Sequence, residues 1–107
     1  MLYLNPKMIK DSVEKTQEEI LQEMAKALGH TGSILEETLK QLEEIEFSMS
    51  QIEDMEEYNR MVDTFNAVRK RAIFRRKMLI IHREALGARQ HKFMDIFYPI
   101  PSMKRKR

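Results

Sequence analysis

From Ser33 to Leu86 the chain contains neither glycine nor proline, an uninterrupted run of 54 residues. Nothing in that run stops a helix through backbone chemistry, because Gly supplies the left-handed end cap and Pro both removes a donor and clashes with the preceding turn. One helix of that length would extend about 80 Å, too far for a chain of 107 residues to shelter with its own core. Such a segment must fold back on itself or pair with another chain.

Its apolar residues show which side has to be covered. Leu35, Leu42, Ile45, Met49, Ile52, Met55, Tyr58, Val62, Phe65, Val68, Ala72, Leu79 and Leu86 recur at helical spacing, with a shift of phase between Ile52 and Tyr58. That shift coincides with the acidic stretch Glu53–Glu57 and with Asn59, so a break within 53–59 is the alternative to one continuous helix. Upstream, Asn5-Pro6 predicts a helix start: Asn accepts from the free amides, and Pro has no amide to leave unpaired. Ile9, Val13, Thr16, Ile20, Met24 and Ala27 then lay an apolar stripe over a helix predicted at 6–28, which Gly29 is expected to end. Ser33-x-x-Glu36 reads as a capping box for the next helix. Downstream of Gly87, Pro99 and Pro101 stop any helix, leaving 88–107 as a strap with the basic end Lys104-Arg105-Lys106-Arg107.

The charges are segregated along the chain. The first 59 residues hold 5 Lys against 14 Asp and Glu, whereas the remainder holds 14 Lys and Arg against 3 acids. Glu36, Glu43 and Glu57 recur on a line of sevens, as do Arg69, Arg76 and Arg83, so an antiparallel pairing sets acid beside base. Centring it near Asn59 places Glu36 opposite Arg83 and Glu43 opposite Arg76, although a slip of one heptad satisfies the charges equally. Two arrangements share these contacts. A turn near Asn59 makes a three-helix bundle within one chain, and an unbroken helix makes the same bundle at each end of an antiparallel homodimer. The missing turn residues between Ser33 and Tyr58 favour the unbroken helix and hence the dimer. The expected architecture is therefore an all-α single domain, an antiparallel helical hairpin with a long second helix.

Composition narrows the function. With no cysteine, thiolate metal sites, disulfides and cysteine nucleophiles are excluded. None of His30, His82 and His91 follows an acid at the Glu-x-x-His spacing of a di-iron bundle, and His82 and Glu84 lie on different helix faces. No catalytic constellation, cofactor or metal is expected. Met1–Asn5 does not open like a secretory signal, and the longest apolar run, Met78–Ile81, is far short of the roughly 20 residues of a bilayer span. A cytoplasmic protein without a transmembrane segment is the expectation.

Two surfaces remain for partners. Phe93, Ile96, Phe97, Tyr98 and Ile100 carry more apolar surface than a free end should, so this segment is expected to fold back onto the bundle or to bind another protein. The run Arg69, Lys70, Arg71, Arg75, Arg76 and Lys77 forms a basic face suited to phosphate backbones unless acidic helices cover it. A non-enzymatic helical interaction or scaffolding protein that self-associates is the preferred reading, and a basic nucleic-acid-binding accessory protein is the alternative.

Overall fold

The computed structural model describes residues 5–107, and the start weighed above as a secretory signal lies outside them save for Asn5. The protein is all-α. Helix α1 spans Pro6–Ser50, α2 spans Met55–Ala85, and α3 is the single turn Met94–Phe97. The two long helices pack against each other as an antiparallel hairpin, in a body of 79 × 27 × 16 Å.

The long arm of the hairpin is the first helix rather than the second. Asn5 caps α1, its Oδ1 accepting from the Lys7 amide at 2.9 Å, with Pro6 in the first turn. The helix does not end at Gly29. It continues through Gly32, and neither glycine has a positive φ. Packing outweighs the glycine signal there: Leu28 and Leu35 join Leu79 and Met94 in one core cluster, and Gly32 is buried between them.

The chain turns at Gln51–Asp54, inside the segment whose unbroken form would have been swapped between two chains. Asp54 makes the break. Its carboxylate accepts from the Glu57 amide at 2.9 Å, and Glu56 and Glu57 occupy the positive end of the α2 dipole. The helix start thus lies at Asp54, without the Gly or Pro whose absence favoured continuity.

The register follows from two cross-helix pairs one heptad apart. Thr38 meets Arg75, and Thr31 Oγ1 lies 2.8 Å from His82 Nδ1. Arg76 is therefore level with Glu37 and not with Glu43, close to the one-heptad slip that charge alone left open. Between the helices, Leu42, Met49, Val62, Phe65, Val68 and Ala72 form the main core. Thr38 is fully buried, and its hydroxyl donates to the Ile34 carbonyl at 2.8 Å while accepting from the Arg75 guanidinium, so it is both donor and acceptor.

Helix α2 closes on a Schellman motif: the Gly87 amide donates to the Glu84 carbonyl at 2.9 Å and the Ala88 amide to the Arg83 carbonyl at 3.0 Å. Gly87, at φ 93°, supplies the left-handed residue this requires. The chain then reverses, α3 seats Met94 in the core, and the segment from Tyr98 onward returns along the hairpin. This strap takes the place of a third bundle helix.

Candidate interaction surfaces

Two surfaces stand out, and each is built by a different part of the hairpin. The first is the N-terminal arm of α1. Because Thr31 is level with His82 and α2 ends at Ala85, α2 stops short of the arm, and from residue 5 to 27 only Met24 is even half-buried. The bare segment is about 33 Å long. Ile9, Val13 and Ile20 are 46%, 51% and 53% exposed. At 100° per residue, Met24, Val13, Ile20 and Ile9 all fall within about 60° of the mid-line through Leu35, Leu42 and Met49. The apolar stripe that α2 covers therefore continues, uncovered, onto the arm.

The second surface is the strap in its groove between α1 and α2. Tyr98 packs with Leu35 and Leu79, and Ile100 packs on the main core. The Arg76 guanidinium donates to the Tyr98 carbonyl at 3.2 Å, and Arg69 Nε donates to the Pro101 carbonyl at 2.7 Å. Asn66 exchanges two hydrogen bonds with the backbone of Lys104, at 3.0 and 3.1 Å, and Asn59 does the same with Arg107, at 2.8 and 3.3 Å. Lys104 also pairs with Glu46 of α1 at 2.9 Å and lies over the Phe65 ring. Lys106 pairs with Asp63 at 3.3 Å, and the Arg107 guanidinium sits 3.9 Å from the Tyr58 ring centroid. Beside the strap an open trough is lined by Glu36, Leu39, Glu43 and Glu46.

This arrangement separates the expected charge lines. The strap lies between Glu36 and Glu43 on α1 and Arg69 and Arg76 on α2, so the pairs Glu36–Arg83 and Glu43–Arg76 do not form among the described residues. Arg76 instead meets Asp95 at 3.1 Å, and Arg83 donates to the Gln90 carbonyl at 3.4 Å.

The residues singled out from sequence are divided by the fold. Of the C-terminal set, Tyr98 and Ile100 serve the protein's own core, whereas Phe93, Ile96 and Phe97 are 51%, 70% and 71% exposed on and beside α3. The rings of Phe93 and Phe97 stand 6.4 Å apart. Of the basic set, Arg69, Arg75 and Arg76 are half-buried and turned to the strap or to Thr38, and Lys70, Arg71 and Lys77 face outward.

Asn59 and Asn66 were not singled out as binding residues. The available signal was their spacing of seven, which puts them on one line of α2, matched by basic residues three apart in the tail. His91 meets Glu84 at 3.1 Å near the surface, and no group of three His, Asp or Glu side chains among the described residues is placed to hold a metal ion. No helix among them is long and apolar enough to cross a membrane. The chain matches no family model, no curated protein and no solved structure.

Proposed function

We propose that the protein is a non-enzymatic helical interaction module of the cytoplasm that self-associates through the N-terminal arms of α1. The observation that carries this reading is the continuity of one apolar stripe from the hairpin core onto an arm that α2 does not reach. A second copy is the natural cover because its own arm repeats the stripe. Laid antiparallel, each arm continues the line of the other chain's α2. The antiparallel dimer expected from sequence is thereby kept as a proposal, with the contact moved from a swapped long helix to the arms.

The exposed Phe93, Ile96 and Phe97 offer a second contact, to another protein, at the end of the hairpin where the partner's arm tip arrives. The cysteine-free chain makes the arm contact easy to test. Thr16→Cys, on the stripe, should cross-link to a dimer with a short bis-maleimide, while Glu18→Cys, on the opposite face, should not. Equal cross-linking at both positions, or none at either, would refute the arm interface.

One observation favours a different reading. Lys70, Arg71 and Lys77 are exposed without an acidic partner among the described residues, and the exposed Phe74 lies among them. This is half of the basic face expected from sequence, and it would serve a nucleic-acid backbone. Titration with oligonucleotides at two salt concentrations separates the readings: weak binding that falls steeply with salt supports the interaction module, and tight, sequence-selective binding at physiological salt supports the nucleic-acid reading.

A further inference from the structure

The strap is held by its backbone in steps of three. Tyr98, Pro101, Lys104 and Arg107 each present a main-chain group to α2, and the groups that receive them, from Arg76, Arg69, Asn66 and Asn59, descend the helix in the opposite direction. The spacing is a consequence of geometry. An extended chain rising about 3.1 Å per residue covers about 28 Å from Tyr98 to Arg107. A helix rising about 1.5 Å per residue covers about 26 Å from Arg76 to Asn59. Nine extended residues thus span nearly the length of seventeen helical ones, and over the last step the three residues from Lys104 to Arg107, about 9 Å, match the heptad from Asn66 to Asn59, about 10 Å.

An asparagine side chain carries both a donor and an acceptor, and here each satisfies the amide and carbonyl of a single residue. Backbone contacts of this kind recognise an extended chain irrespective of side chain. Selectivity comes from the flanks. Glu46 and the Phe65 ring receive a lysine at Lys104, and the Tyr58 ring receives an arginine at Arg107. Pro101 suits its position because only its carbonyl is used.

We propose that the groove of Asn59, Asn66 and Arg69 is a recognition site for an extended basic peptide of pattern Pro-x-x-Lys-x-x-Arg, occupied in cis by the protein's own tail. A peptide of that pattern enters only when the tail has vacated the groove, which makes the tail a built-in competitor. The inference is independent of the arm interface.

The test uses the full chain. Lys104→Pro combined with Arg107→Pro removes both amides that the two asparagines accept from, and so releases the tail from Asn59 and Asn66 without altering either asparagine. A fluorescent peptide with the sequence of residues 98–107 should bind this variant saturably, about ten-fold or more tighter than a scrambled peptide of the same composition. It should bind the wild-type chain more weakly, and adding Asn59→Ala and Asn66→Ala to the variant should abolish binding. Equal binding of the scrambled peptide would reduce the site to charge attraction, and equal binding to wild type would show that the tail does not hold the groove. Either result overturns the proposal. Amide hydrogen exchange in the wild-type chain gives a check that does not rely on the variant folding: Lys104 and Arg107 should be protected, and exchange at the rate of a free peptide would also overturn it.

Discussion

Asn66 on α2 and Lys104 in the tail exchange two hydrogen bonds, the Lys104 amide donating to Asn66 Oδ1 at 3.0 Å and Asn66 Nδ2 donating to the Lys104 carbonyl at 3.1 Å. A helix side chain thereby does for the strap what a neighbouring strand would do in a sheet. Asn66→Ala removes both bonds at a half-buried position and should cost about 1–3 kcal/mol at 0.5–1.5 kcal/mol per bond. For a chain of this size each kcal/mol lowers Tm by about 4–8 °C. A melting curve reads the loss, and an unchanged Tm would mean that the strap adds nothing to the hairpin's stability.

Gly29 sits in the middle of α1 with nothing within 4 Å of the position a Cβ would take. Gly29→Ala should therefore stabilise the protein by about 0.5–1 kcal/mol through helix propensity alone. Denaturant unfolding measures it. Destabilisation would indicate that the chain turns at Gly29 after all.

Asp54 holds the start of α2 through its bond to the Glu57 amide. Asp54→Ala should cost about 0.5–2 kcal/mol and, by removing the signal that stops a through-helix, should raise the fraction of chains exchanged between hairpins. Chemical unfolding together with size-exclusion chromatography after refolding tests both parts.

Among the described residues Thr38 is the one polar side chain in the buried interior, and it anchors Arg75. Thr38→Val keeps the shape and leaves the guanidinium without its acceptor, at an expected cost of about 1–3 kcal/mol. Thr38→Ser should recover most of that loss. If valine were as stable as threonine, the Arg75 contact would carry no energy.

The apolar stripe was legible because burial at 3.6-residue spacing leaves a strong pattern: Leu35, Leu42, Met49, Val62, Phe65, Val68, Ala72 and Leu79 all lie in the core. The turn was not, since Asp54 ends the through-helix by a cap of modest energy, whereas Gly29 looks like a stop and is overruled by the packing of Leu28, Leu35 and Leu79. The heptad charge lines misled for a related reason. Glu43 and Arg76 would contribute only about 0–1 kcal/mol as an exposed pair, less than the burial of Tyr98 and Ile100 and the strap's backbone bonds. The fold therefore put the strap between them. Of the candidate binding residues, Phe93, Ile96 and Phe97 are exposed, and Tyr98 and Ile100 turn inward because Pro99 and Pro101 keep the chain extended along the groove.

The self-association of the arms is tested most directly by the mass of the full chain in solution. Multi-angle light scattering at micromolar concentration should give twice the 12.8 kDa of one chain, and Val13→Glu with Ile20→Glu, which places charge on the bare stripe and leaves the hairpin core untouched, should return it to a monomer with an unchanged far-ultraviolet spectrum. A wild-type mass of 12.8 kDa at those concentrations, or a dimer that survives both glutamates, would contradict the account.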